Sequence, residues 1–321
     1  MPNFELIENQ TPSPMKLLFA LSVISLSLAS CGTTDDIRKR DTPTSGKLKL
    51  YYDEGLTLHI QNQVYTFKSI YKNADIQTVS SNEKNCIEAL FNDSAKVIAI
   101  ARALSDSELK KFKAKNIYPE SSVVARDAIA FIVSVTFPDS AISITQLTDI
   151  LKGTDSLYIQ GKHIKLVFDN QNSGSTRQLK DSLIPTHAFG KNCSAVTTTE
   201  QLAEAVAAND ITIGVCDYAW FSDKDDNTTK KLLQKVKILA VSKKNNEMAY
   251  MPDQSNIATS EYPLCRNICI IRRSSEFSLG KGIETFIAGE KGQLMFLKQG
   301  LPPNRQEERL IEVDMTPFPS K

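Results

Sequence analysis

Helical and extended patterns alternate along this chain from residue 46 to residue 301, and the alternation predicts an α/β fold with parallel sheets. Two further observations support it. Val97-Ile98-Ala99-Ile100-Ala101 and Ala128-Ile129-Ala130-Phe131-Ile132-Val133 are continuous apolar runs, as in strands covered on both faces. Asp53, Ser80, Arg102 and the turn Asn172–Arg177 each stand at the carboxyl end of a strand, where open α/β sheets bind ligands. Polar strand ends in both halves of the chain predict a cleft between two lobes.

The elements follow in order. Lys47-Leu48-Lys49-Leu50-Tyr51-Tyr52 alternates as a strand and stops at Asp53-Glu54-Gly55. Leu56 to about Asn73 has helical spacing, and Ile76–Val79 is a strand. Ser80 and Glu83 are spaced as a capping box for a helix carrying Cys86, Ile87, Leu90 and Phe91. Ser105-Asp106-Ser107-Glu108 starts another, and Ser143-Ile144-Thr145-Gln146 starts the helix that ends at Lys152-Gly153. Thr198 and Gln201 frame a cap before Leu202–Ala208. Ile211–Val215, Val236–Val241 and Ile268–Ile271 are strands. Helices near 279–299 close the body, and Gly300-Leu301-Pro302-Pro303 stops the last.

Leu166-Val167-Phe168 is a buried strand that leads through Asp169–Asn172 into a helix start at Ser173-Gly174-Ser175-Thr176-Arg177. Asn172 or Ser173 caps that helix. Gly174 admits a close neighbour, and the free N–H groups of the first turn point, with the helix dipole, at an anion. Arg177 lies in or near that turn, where a cation needs a partner. An ordinary capped surface helix would show the same pattern.

The N-terminus has a separate character. Met15-Lys16 precedes an apolar run, Leu17–Ser30, that is shorter than the ~20 residues of a membrane-spanning helix. It reads as a secretory signal over residues 1–30, with Met15 as the natural start. Leu28-Ala29-Ser30-Cys31 resembles a bacterial lipobox, which implies cleavage before Cys31 and a lipid on it. Residues 31–45 read as a polar tether. The 321-residue chain carries a net charge of +1, and removing Glu5, Glu8 and Lys16 with the signal brings it to +2. So even a balance argues against a nucleic-acid binder. Apart from Cys31 there are five cysteines, an odd number, so at least one is unpaired. Cys265 and Cys269 are not at zinc spacing, the three histidines are scattered, and neither a metal nor a cofactor is expected.

The chain resembles the phosphate-binding proteins of ABC importers, in the type II periplasmic solute-binding superfamily, and within it a lipoprotein branch. The residues that carry the resemblance are Ile98–Glu108, Ala125–Val133, Leu147–Gly153, Asp169–Arg177, Ile213–Trp220, Tyr262-Pro263-Leu264 and the stretch from Gly292 to Pro302. It implies two lobes, 46–127 with 264–321 and 128–263, each a mixed, mostly parallel sheet flanked by helices. It implies no catalysis. The ligand would be phosphate or a similar oxyanion, held between the lobes by the loop Asp53-Glu54-Gly55, by Ser80 and Ser81, and by Ser173, Gly174, Ser175, Thr176 and Arg177. The partners would be a permease of the inner membrane and, through Cys31, the membrane itself. The protein would be a monomer in the cell envelope.

Two departures stand out. Where the family carries an Asp after the third strand, this chain has Arg102, and where it carries an Arg before the Ser-Gly turn, this chain has Asp169. Arg102 would then face the ligand, pair with Asp169 in reversed sense, or pair structurally with Asp106 or Glu108. Asp217-Tyr218 reads as a loop charge. The same departures leave room for a second function: the fold with an altered or lost ligand, serving as a sensor or scaffold.

Overall fold

The computed structural model describes residues 41–154, 158–159 and 161–305. The signal expected over residues 1–30, the lipid expected on Cys31 and the tether to residue 40 lie outside them. Residues 41–45 are part of the folded body: Thr42 and Ser45 close a turn, and Asp41 accepts a hydrogen bond from the Leu279 N–H at 2.8 Å.

The first half runs β1 (Gly46–Asp53), a short 3-10 turn, α1 (Thr57–Ile70), β2 (Ala74–Ser81), α2 (Glu83–Phe91), β3 (Val97–Ile100), α3 (Asp106–Ala114) and β4 (Glu120–Ser134). β5 (Ala141–Ser143), α4 (Ile144–Lys152), the hairpin of β6 (Tyr158–Ile159) and β7 (Lys162–His163), and β8 (Lys165–Phe168) follow. Then come α5 (Gly174–Leu183), β9 (Cys193–Ala195), α6 (Thr199–Ala207), β10 (Thr212–Asp217), α7 (Ala219–Ser222) and α8 (Asn227–Leu233). β11 (Val236–Ile238), β12 (Ala240–Ser242), α9 (Gln254–Ala258), β13 (Cys265–Arg272), α10 (Leu279–Ala288) and α11 (Glu290–Lys298) complete the body.

Nine strands join in one sheet, in the order β2-β1-β3-β13-β4-β10-β8-β9, with β11 also on β4. β1 is parallel to β2 and β3, and β8 is parallel to β10 and β9. β13 and β4 run against their neighbours. This is the mixed, mostly parallel α/β architecture expected of a type II solute-binding fold. β4 links the halves: Glu120–Ala128 pairs with β13, and Ile129–Ile132 pairs with β10. The change of partner falls between Ala128 and Ile129.

The apolar runs form the core. Val97, Ile98, Ala99 and Ile100 are fully buried, as are Ala128 through Val133. A second cluster under α2 and α3 gathers Cys86, Leu90, Ile98, Leu104 and Phe112. The five cysteines of the body are free thiols. No helix among the described residues is long and apolar enough to cross a membrane.

Local signals hold in most places. Ser105 with Glu108 and Ser143 with Gln146 form the expected capping boxes, and Thr198 caps α6. The structure corrects two expectations. Ser80 does not cap α2, because β2 continues through Ser80 and Ser81, which pair with Tyr52 and Asp53 of β1. Asn82 is the cap, accepting from the Asn85 N–H at 2.9 Å. The run Val236–Val241 is two strands rather than one: β11 pairs with β4, and β12 pairs with β5.

Replacing the cap separates the two assignments. Asn82→Ala should lower the unfolding free energy by about 1 kcal/mol, read from urea denaturation, and Ser80→Ala should cost much less. The reverse order would restore Ser80 as the cap.

Candidate functional site

The site is built where three strand ends meet the start of α5. Ser173 ends the loop after β8 in an extended conformation and caps α5, its hydroxyl accepting from the Thr176 N–H at 3.3 Å. The same hydroxyl donates to Asp169 Oδ1 at 2.7 Å. The Gly174 N–H, at the positive end of the helix, donates to Asp53 Oδ2 at 3.3 Å. A Cβ on Gly174 would stand 2.8 Å from Glu83 Oε2 and 3.2 Å from Asp53 Oδ2. Glycine is what lets two carboxylates approach that helix start together.

Glu54, in the turn after β1, reaches the start of α6. It accepts from the Thr199 N–H at 3.2 Å and from the Thr199 hydroxyl at 3.0 Å.

Beneath these lies Arg266 of β13, buried to 7 % exposure. It donates to Asp127 Oδ2 through Nη2 at 2.7 Å and Nε at 3.1 Å. It also pairs with Asp217 at the end of β10 and lies 3.2 Å from the Ser175 hydroxyl. Ser175 in turn donates to Asp217. The other Asp217 oxygen packs against Gly55, where a Cβ would overlap it.

A polar pocket of about 210 Å³ opens above this floor. Its walls include Ser80, Ser81, Ser173, Thr197 and Thr198, together with Asp53, Glu54 and Asp169. No lysine or arginine lines it. Burial holds Asp53 and Asp169 well above the usual carboxylate range, and the nearby Asp217 charge adds to the shift of each. Burial also pushes Glu54 up to about 7, against the opposing hydrogen bonds from Thr199. Asp127 rises to about 6 through burial, despite Arg266. The pocket can therefore offer protonated carboxyls as well as hydroxyl donors near neutral pH.

Asp53, Glu54, Ser80, Ser81 and Ser173 converge on this pocket, with Gly174 beside it. Gly55 sits against Asp217. Ser175 is wholly buried in the Arg266 cluster. The Thr176 hydroxyl is turned to the Asn170 carbonyl, at 2.7 Å. Arg102 and Arg177 do not line this pocket. Arg102 donates to Glu83 at 2.9 Å and to both Glu108 oxygens at 2.7 and 2.8 Å. Arg177 donates to Glu83 at 2.7 Å and to Asp181 at 3.1 Å. The reversed Arg102–Asp169 pair is not formed, because Ser173 and the Asn170 N–H hold Asp169 Oδ1. Asp217 is not a loop charge. It is 1 % exposed, at the end of a fully buried strand.

Sequence reasoning does not assign four residues to the site: Glu83, Asp127, Thr199 and Arg266. Asp127 and Arg266 are charges inside strand patterns, and that intrusion is the one cue available.

Removing the buried cation exposes the balance. Arg266→Met should destabilise the fold by about 3–5 kcal/mol, because Asp127 and Asp217 lose their counter-charge. Chemical denaturation should show a larger loss at pH 8 than at pH 5, where Asp127 can take up a proton.

The raised carboxyls also fix a sign. Their folded pKa values exceed the unfolded ones, so the folded state holds more protons, and stability falls as pH rises from about 4.5 to 7. His59, which burial lowers to about 4, opposes this, and the lowered carboxylates Asp93, Glu108 and Glu284 act in the same opposing sense mainly below that interval. The melting temperature should therefore rise as pH is lowered from about 7.5 to 5.5, and Glu54→Gln should flatten the profile. A fall in melting temperature over that interval would contradict the assignment.

Comparison with known proteins places the chain. A sequence profile described as a PBP superfamily domain matches residues 51–290. No curated protein matches the sequence. Among solved structures, a putative phosphate ABC transporter substrate-binding protein with bound phosphate from Clostridium perfringens is similar at a TM-score of 0.67 and 16% identity, over 81% of this chain and 100% of its own. An ABC-type phosphate transport receptor from Vibrio cholerae is similar at 0.60 and 16%, over 80% and 100%. PstS from Borrelia burgdorferi is similar at 0.51 and 21%, over 80% and 98%. At these identities the likeness is one of fold. The profile covers most of the chain and agrees with a sheet whose strand ends meet at one polar pocket: the chain belongs to the PBP superfamily.

Proposed function

We propose that this protein binds an oxyanion, inorganic phosphate, in the pocket at the start of α5. It would deliver the ion to an ABC importer as an extracytoplasmic lipoprotein anchored through Cys31. It would act as a monomer, by binding and not by catalysis, with lobes spanning 46–127 plus 264–321 and 128–263.

One observation carries the reading. The Gly174 N–H already holds an oxyanion, the Asp53 carboxylate, at the helix start. Hydroxyl-bearing residues from the end of β2, the cap of α5 and the start of α6 line the pocket beside that point. The names of the similar structures support phosphate as the ligand. The carboxyls sharpen the choice. Phosphate keeps a proton near neutral pH, so it can accept from a protonated carboxyl and donate to an ionised one among Asp53, Glu54 and Asp169, whereas sulfate can only accept and is repelled by each carboxyl that is ionised. The carboxylate that seemed lost with Arg102 is thus supplied from other positions of the pocket.

The lining also favours a second reading. Three carboxyls and no cation in one small pocket is an unusual surface for an anion. A domain that has given up its ligand for a sensing or scaffold role would tolerate it.

Thermal shift in the two anions decides between them. A ligand of the native state at about 100 times its Kd adds about 2.7 kcal/mol. Phosphate should therefore raise the melting temperature by several degrees, more at pH 6 than at pH 8, and sulfate should not. Ser80→Ala with Ser81→Ala should weaken the phosphate shift. No shift with any oxyanion, in protein refolded free of ligand, would favour the scaffold.

A further inference from the structure

A second cavity is larger and differently made. It measures about 570 Å³ and runs between α2 and α3 on one side and α5 with the segment after it on the other. This is the size range of small-molecule sites, roughly 300–1,000 Å³. The polar pocket falls below it.

The walls combine apolar surface with positive charge. On α2, Lys84, Ile87 and Phe91 share a face at spacings of three and four residues. Phe189 faces in from beyond α5. Ile87, Phe91 and Phe189 are each only half-buried. Phe91 stands edge-on to the buried Phe112, with ring centroids 5.2 Å apart, and Phe189 leans on Phe168 at 5.1 Å. The rings are thus braced by these neighbours, and Phe91 further carries the Lys115 ammonium 4.0 Å from its centroid, while both stay partly exposed and line the groove.

The charge has a direction. Arg102 is consumed by Glu83 and Glu108 at the inner end. Lys84 and Lys111, at the rim, form no ion pair with any described residue. Arg177 shares Glu83 with Arg102 and keeps 35 % of its side chain exposed. Glu88 is the one carboxylate of the lining that no cation holds. Cations thus outnumber carboxylates around an apolar floor. An inorganic ion has no use for such a floor, and a neutral apolar molecule has none for the rim.

We infer that this groove binds a small organic anion, its ring-sized apolar body against Ile87, Phe91 and Phe189 and its anionic head by Lys84, Lys111 and Arg177. This goes beyond the phosphate reading and does not depend on it, since the groove and the polar pocket share only Ser173.

Titration calorimetry on the folded body with phenylphosphonate as the probe tests it. Methylphosphonate and benzyl alcohol serve as controls for the ring and for the charge. Phenylphosphonate should bind at least tenfold more tightly than either control. Lys84→Glu with Lys111→Glu, both exposed positions where folding is safe, should weaken it about tenfold. Ile87→Glu should abolish the advantage of the phenyl group over the methyl group. Binding should persist in saturating phosphate. Equal affinity for the phenyl and methyl compounds, indifference to the charge reversal, or one-for-one displacement by phosphate would each overturn the inference. Failure of phosphate itself to bind would count against the transport reading and leave this one standing.

Discussion

One buried guanidinium organises this molecule. Arg266 enters from β13, holds Asp127 of β4, meets Asp217 at the end of β10 and touches Ser175 in the first turn of α5. Elements from both sides of the sheet are fixed by a single side chain. Buried ion pairs add little net stability compared with apolar packing, but they are costly to break once made. Separating any of these strand ends would therefore leave a buried charge without its partner, a cost that the assembled cluster avoids. Gly55 belongs to it, since any side chain there would displace Asp217.

The pocket inherits its chemistry from that floor. Asp217 satisfies Arg266, and its charge in turn pushes Asp53 and Asp169 toward their protonated forms. The carboxyl next to the α5 helix start is thus both an oxyanion on a positive dipole and a group reluctant to ionise. Those two tendencies oppose each other, and their balance is set by pH. The site differs from one built on lysine or arginine, whose charge would attract any anion indiscriminately.

Much of this architecture was legible in the sequence because it rests on short-range rules. Apolar runs marked β3 and β4, and the Ser105, Ser143 and Thr198 caps marked three helix starts. Asp53, Ser80, Ser81 and Ser173 could be placed together because strand ends share one edge of a parallel sheet. What escaped was set by distant partners. Asn82 displaced Ser80 as cap because β1 holds β2 two residues longer than local pattern implies. β11 and β12 looked like one strand because pairing with different neighbours leaves no local mark. Asp217 looked like a loop charge because its counter-ion, Arg266, is 49 positions away in the chain. Arg102 found its partners on α2 and α3 instead of in the pocket, a choice that depends on side-chain reach.

The exchange of partners along β4 carries a mechanical meaning. Asp127 precedes the point where β4 leaves β13 for β10 by a single residue, so the carboxylate that grips Arg266 is mounted almost on the axis about which the two parts of the sheet would pivot. Points on a pivot scarcely move when the arms swing. The Arg266 cluster is thereby insulated from any opening of the molecule that bends β4 there. Glu83 and Arg177 tie α2 to α5 beside the α5 helix start, so a bend in β4 that parted those two helices would have to break their ion pair.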